Sequence, residues 1–358
     1  MSLSHELPLQ TPMPLPTSKT PTTTDELDDF LSQADDGVLK TIQSHPGDCL
    51  VLGAGGKMGY HLCRMIRSVH RELGDRYQVT AVSRFNDPSK RKQFSDSSIA
   101  TIQADLSDGR ALSQLPDAPN IFFLAGVKFG TTTQPQLLKK MNQEVPELVA
   151  KKYSDARIVA MSTGCVYSFT HADSGGSKET DEMNPPGDYA RSCIARENAF
   201  GKQSEQANTP VAIVRLNYSI DCRYGVLVDI AKAVYEGTLI DLSMGYVNVI
   251  WQRDAVSQII RCLPHADSPP WIINITGEET LSVRWLAEEF AARMRKQAKF
   301  KGQESGECWL SNSERAQQLF GRTKMPLSTM MDWITDWLTR GMPLLDKPTH
   351  FQSRDGNY

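Results

Sequence analysis

Along most of its length the chain alternates short, unbroken apolar runs with longer stretches in which apolar residues return every three or four positions. Cys49-Leu-Val-Leu52 is a continuous run of the kind found in a strand buried on both faces of a parallel sheet. Gly53 ends it. After Gly59 the apolar residues fall at Leu62, Met65, Ile66 and Val69, one face of a helix. Further strands are predicted over Tyr77 to Ser83, Ile99 to Asp105, Ile121 to Gly126 and Arg157 to Met161. A helical pattern from about Gln136 to Lys152 separates the last two. Strands alternating with helices imply right-handed crossovers and an α/β, doubly wound parallel sheet of Rossmann type.

Val211 to Leu216 predicts a sixth strand, after which the pattern changes to that of a smaller C-terminal lobe. Its predicted elements are a helix over Tyr224 to Tyr235, a strand over Val247 to Trp251 and a helix capped by Asp254. A short strand over Ile272 to Ile275, a Ser282-capped helix to about Met294, and helices near Ser313 to Phe320 and Leu327 to Arg340 follow. Residues 1 to about 22 are rich in Pro, Thr and Ser and read as a mobile arm, and Thr23 with Glu26 has capping-box spacing for a short helix. The expected division is 1–46 (arm and short helix), 47–220 (dinucleotide-binding domain), 221–345 (mainly the lobe) and 346–358 (a loose polar tail).

The turn joining the first strand to its helix carries the first chemistry. Its residues Gly53, Gly55, Gly56, Lys57, Met58 and Gly59 open a helix whose unpaired N–H groups attract a pyrophosphate. Glycine is needed where the chain turns tightly and where phosphates approach the backbone. The second strand ends at Ser83-Arg84, where an acidic residue favours NAD and an arginine accommodates a 2′-phosphate. Arg84, with Lys57 as a second cation, therefore points to NADP, with NAD as the alternative if Asp87 takes the ribose and Arg84 is only a solvated strand-end residue.

A net charge of −3 gives no electrostatic footprint for nucleic acid. Seven scattered cysteines without a C-x-x-C pair argue for free thiols in a reducing compartment, and neither they nor the histidines have metal-ligand spacing. No apolar segment approaches a membrane span, and the N-terminus lacks the pattern of a signal peptide. A soluble, cytoplasmic protein without a bound metal is expected.

Beyond the fifth strand come Ser162-Thr-Gly-Cys-Val-Tyr167 and Tyr189-Ala-Arg-Ser-Cys193. With the glycine turn, Asp105-Leu106, Leu124-Ala125-Gly126 and Asn142, these segments make roughly residues 47 to 340 resemble the extended short-chain dehydrogenase/reductase family, in its NAD-dependent epimerase/dehydratase branch. The resemblance implies that Asp105 and Leu106 lie near the adenine, that Leu124 to Gly126 border the cofactor, and that Thr163 holds the reacting substrate oxygen. It also implies that Tyr189 is the acid/base group, and that two chains pair as a homodimer through a four-helix interface. The family lysine four residues after the tyrosine is replaced here by Cys193.

That lysine binds the nicotinamide ribose and lowers the tyrosine pKa, and a neutral thiol does neither well. An unperturbed tyrosine is only on the order of 0.1% ionised at pH 7, so alcohol oxidation suffers most, whereas a neutral Tyr189 can still donate a proton to a carbonyl. Lys128 and the positive nicotinamide of an oxidised cofactor are the candidate compensating charges. Cys193 itself reads as a packing or ribose-contact residue, since no histidine is paired with it in sequence as a nucleophile requires. Gly164 stands where nucleotide-sugar 4,6-dehydratases have an Asp-Glu pair, which disfavours that reaction. Candidate substrate contacts are Lys128, Asn217, Arg223, Trp251, Gln252 and Arg253, with a core role for Trp251 and a solvated one for Arg253 as the alternatives. Two functions are expected to compete: an NAD(P)-dependent oxidoreductase or epimerase acting on a sugar-like or polyol substrate, and an inactive NAD(P)-binding sensor or scaffold.

Overall fold

The structure is a computed structural model that describes residues 19–127 and 135–356. Seven strands form the central sheet: β1 (Cys49–Leu52), β2 (Val79–Ser83), β3 (Ala100–Gln103), β4 (Asn120–Phe123), β5 (Arg157–Thr163), β6 (Val211–Leu216) and β7 (Trp271–Ile275). They run parallel in the order β7-β6-β5-β4-β1-β2-β3. The order reverses between β1 and β4, the switch point at which doubly wound sheets open a crevice at the carboxyl ends of their strands.

All four residues of β1 are buried, which is why its sequence is an unbroken apolar run. Cys49 and Val51 face a layer that holds α2 (Asp36–Ser44) and α3 (Gly59–Glu72), whereas Leu50 and Leu52 face α5 (Val145–Lys152) and α6 (Asp188–Ala207). Burying one such side chain contributes ~1.5–3 kcal/mol, more than an exposed ion pair provides. The sheet therefore depends on its two apolar faces. Ahead of α5 the helix that begins at Pro135 passes through a π-helical turn, Lys140–Glu144. Pro146 lacks the N–H that the Asn142 carbonyl would otherwise accept, and the widened turn accommodates that loss.

The C-terminal lobe packs α7 (Val226–Glu236), α9 (Val283–Met294) and α10 (Leu327–Thr339) around Trp251, Trp333 and Trp337. The chain does not divide at one point near residue 220. Helix α8 (Gln252–Arg261) and β7 return to the sheet, so the lobe is assembled from separate stretches. The strand expected over Val247 to Trp251 is two short pieces, Tyr246–Val247 and Ile250–Trp251, which pair with different partners. Asp254 does not cap α8. It lies in the first turn and accepts hydrogen bonds from the backbone N–H groups of Lys324 and Met325, tying a distant loop to the helix. Residues 346–356 are not a loose tail, because Thr349 and Phe351 are buried and Asp229 accepts from both the backbone N–H and the hydroxyl of Thr349.

Helix α1 (Thr24–Leu31) starts at Thr23, whose hydroxyl accepts from the Glu26 N–H, while the Glu26 carboxylate returns to Thr22. From α1 the buried Asp28 reaches into the body of the protein. Its carboxylate pairs with His61 on α3 and with Arg223 near α7, and it accepts from Gln93. Burial opposes the charge, but the His61 hydrogen bond and the Arg223 guanidinium outweigh it and hold the carboxyl below its ordinary value.

A lowered carboxyl pKa contributes stability that is present above the unfolded value, about 4, and is lost as pH falls through the folded one. Asp28→Ala leaves Arg223 with Asp221 alone, and its expected cost is about 3–5 kcal/mol in chemical denaturation at pH 7, with less of that difference left in acid. A loss under 1 kcal/mol would show that the N-terminal helices are held by their apolar faces alone.

Candidate active site

At the carboxyl end of β1 the chain must turn within a gap set by the neighbouring strand. Gly53 has φ +84°, and a Cβ there would stand 2.5 Å from the backbone nitrogen of Ala125, just beyond β4. Only glycine fits that conformation and that approach. A Cβ at Gly59 would collide with the Ala54 carbonyl, so α3 can start this close to the strand only without a side chain. A Cβ on Gly56 would meet only the Gly53 carbonyl oxygen, at 3.4 Å, and the residue is exposed. No side chain caps α3, whose N-cap residue is Met58. The turn thus presents uncapped N–H donors to open space, which fits a pyrophosphate.

At the adenosine end, Ser83 lies beside Gly55 and Arg84 is exposed. Asp87 is the N-cap of α4 (Pro88–Asp96), where one carboxylate oxygen accepts from the N–H and hydroxyl of Ser89. Asp87 thus serves as a local cap through one of its two oxygens. Asp105 accepts from the Ser107 N–H, and that bond holds its carboxyl below its ordinary range. Leu106 and Ala125 are buried, Leu124 is half-buried and Gly126 is exposed along the same rim.

The opposite wall comes from β5 and α6. Thr163 ends β5 and caps the short turn Gly164–Val166, its hydroxyl oxygen accepting from the Cys165 N–H at 3.2 Å. Its own O–H remains available to donate to another oxygen. Tyr189 sits in the first turn of α6 and lines the cleft with Thr163 and Cys165. Cys193, one turn further on, is fully buried against Val166 and Tyr167 and is hydrogen-bonded to Tyr189. Burial pushes the Tyr189 phenol well above its ordinary value, the thiol adds to the rise, and Arg196 opposes it. Arg196 is itself buried, donating to the Met161 carbonyl and to Asn142. Asn142, in the π-helical turn, also brackets the backbone of Val127 and donates to Ser192.

Glycine turn, Thr163 and Tyr189 open onto one cleft of about 290 Å³. Asn217 lines it too, donating to Asn248 and to the Trp309 carbonyl. Lys57 does not face the end of β2 as a second cation for a 2′-phosphate. Its ammonium donates to the Ser219 carbonyl at 2.6 Å and lies 4.0 Å from the Tyr224 ring centre. Burial lowers its pKa to about 8, with Asp221 and Asp229 opposing the shift and Arg223 adding to it.

Four of the expected substrate contacts lie elsewhere for clear reasons. Arg223 is held by Asp28 and Asp221, Trp251 is core between Phe30 and Trp333, and Arg253 packs over Phe30 and donates to the Gln33 carbonyl. Gln252 is likewise buried against His61. These side chains fasten the N-terminal helices, a role that substrate-oriented reading of the sequence missed. Lys128 lies outside the described residues. The cleft also contains Tyr218, Tyr224 and Thr349, which the sequence reading did not single out. Tyr218, at φ +40°, follows directly after Asn217 and could have been sought there, whereas Thr349 enters from a segment with no periodic signal.

Residues 49–219 match the NAD dependent epimerase/dehydratase family. No curated protein matches the chain. Among solved structures it is similar to UDP-glucuronic acid 4-epimerase from Bacillus cereus in complex with NAD, at 17% identity and a TM-score of 0.67, with 82% of this chain and 99% of that one covered. It is similar to dTDP-glucose 4,6-dehydratase from Bacillus anthracis str. Ames in complex with NAD, at 16% identity and TM-score 0.67 over 82% and 96% of the two chains. Pal from Bacillus thuringiensis is similar at 18% identity and TM-score 0.66 over 82% and 99%. At these identities the likeness is one of fold. Among the described residues no helix is long and apolar enough to cross a membrane.

The shift at Tyr189 gives a direct spectroscopic expectation. In ultraviolet difference titration, wild type minus Tyr189→Phe should show no phenolate signal below about pH 10, the ordinary tyrosine value. A signal emerging near pH 7 to 8 would mean that another charge has taken over the lysine's work.

Proposed function

We propose, from the match of residues 49–219 to the NAD dependent epimerase/dehydratase family, that the chain is an NAD(P)-dependent oxidoreductase or epimerase whose favoured step is reduction of a carbonyl on a sugar-like or polyol-derived substrate. The observation that carries this reading is the shared cleft, in which Thr163 and a protonated Tyr189 face the space above the glycine turn. The bound nicotinamide supplies hydride chemistry. Gly53, Gly56 and the start of α3 hold the pyrophosphate, and Leu124, Ala125 and Gly126 border the cofactor. Thr163 donates a hydrogen bond to the carbonyl oxygen, and Tyr189 delivers the proton that the resulting alkoxide needs. The reverse step begins with removal of a hydroxyl proton and needs a phenolate, which burial and the Cys193 thiol both disfavour.

NADP is the preferred cofactor in this reading, because Ser83 and the exposed Arg84 end β2 and Asp87 is occupied as a helix cap. Several similar structures are described as complexes with NAD, which keeps NAD as the alternative. UDP-glucose and UDP-glucuronic acid in those complexes support a sugar nucleotide as the substrate type. We place the protein in the cytoplasm as a homodimer paired through α5 and α6, a helix pair that leaves Leu148 exposed. A specific observation favours a second reading, an inactive NAD(P)-binding sensor or scaffold: the lysine position holds a buried thiol, Cys193.

Tyr189→Phe should lower turnover about a hundredfold or more while cofactor affinity stays within about twofold of wild type. Undiminished turnover in that variant contradicts the assignment of Tyr189. Wild-type protein that binds cofactor but oxidises none of it across a carbonyl-substrate panel supports the second reading.

A further inference from the structure

Of the described side chains that line the cleft, Lys57 alone carries a formal charge. Its backbone belongs to the glycine turn, and its ammonium spans to Ser219 and Tyr224, where the C-terminal lobe begins. Those contacts use one N–H on a carbonyl and lay the cation against an aromatic face, and neither supplies a negative charge. Asp221 does not form an ion pair with it, since that carboxylate is spent on Arg223. Asp229 is likewise engaged, by Thr349. The family's cation position, meanwhile, holds the neutral and buried Cys193.

We propose that Lys57 binds an anionic oxygen group of the molecule in the cleft, a phosphate of the dinucleotide or of a nucleoside-diphosphate substrate, and so supplies from the opposite wall the positive charge missing at position 193. The identity of that molecule rests on the functional reading above, whereas the need for a counter-ion rests on Lys57 itself. A half-buried ammonium whose direct contacts are a carbonyl and an aromatic ring gains a charge-assisted hydrogen bond when an anion arrives. The same anion meets the uncapped N–H groups of α3, so the side chain and the backbone act on it together. Anion binding raises the lysine's affinity for its proton. Binding should then be independent of pH below about 8 and weaken as pH rises through that value, where the free protein loses the proton first. The other titratable or charged groups around this space are Asp221, Arg223 and Tyr224 beside the ammonium, Tyr218 in the cleft, Asp229 on α7, and Tyr189 and Cys165 across the cleft.

The test compares wild type, Lys57→Met and Lys57→Arg for binding of NADPH by fluorescence and of UDP by calorimetry, from pH 6.5 to 10. Lys57→Met should weaken one of the probes by about tenfold or more, the loss of one charge-assisted hydrogen bond. Lys57→Arg should retain the affinity and remove the break near pH 8, because arginine keeps its proton. If NADPH is the probe affected, the anion is the cofactor's; if UDP, it is the substrate's. Affinities unchanged in Lys57→Met, with wild type binding normally, overturn this inference alone. Wild-type protein that binds neither probe overturns it together with the functional reading.

Discussion

The close approach of β1 and β4 at their carboxyl ends is the constraint on which the rest of the site depends. Gly53 packs against the backbone of Leu124 and Ala125 so closely that no side chain fits, and its positive φ directs the chain into the turn. The same geometry places the start of α3 over Ala54 and leaves the space above Gly56 open. A side chain at Gly53 would push the two strand ends apart and misplace every donor on the turn. The apolar layers on either face of β1 hold that approach in place, so the site inherits its precision from the core.

Upon this scaffold the wall from β5 and α6 presents no charged side chain to the cleft among the described residues. Tyr189 is half-buried beside the Cys193 thiol, and desolvation works against ionisation with little to oppose it except Arg196. A phenol that holds its proton is suited to donate it and unsuited to remove one. The only charge lining the cleft among the described residues is on the facing wall, at Lys57. The cleft's positive charge thus lies beside the glycine turn and not beside the tyrosine, an arrangement that favours holding anions over generating a base.

Much of this was legible in the sequence. The unbroken run Cys49 to Leu52, the helical spacing after Gly59 and the order of later runs fixed the parallel sheet, because burial on both faces demands continuous apolar strands. Thr163 and Tyr189 were found by motif and do line one cleft. Trp251 takes the core role that was open to it, and Arg223 and Arg253 are internal for a shared reason: whether an arginine meets a substrate or an internal partner depends on tertiary neighbours, here Asp28, Asp221 and Phe30. Asp254 likewise had the look of a cap and instead serves a loop seventy residues away in sequence. Thr349 was hidden because its segment has no periodicity and is held by tertiary partners such as Asp229, Ser243 and Glu307.

The most direct test of the central claim, that the cleft above the glycine turn holds a nicotinamide dinucleotide, is a calorimetric titration of the wild-type protein with NADPH and NADH, with thermal stability followed alongside. Saturable binding of NADPH in preference to NADH, with a rise in melting temperature, is the result this account requires. Absence of binding by either cofactor would contradict it and leave the turn at Gly53, Gly56 and Gly59 as a steric solution to strand packing alone.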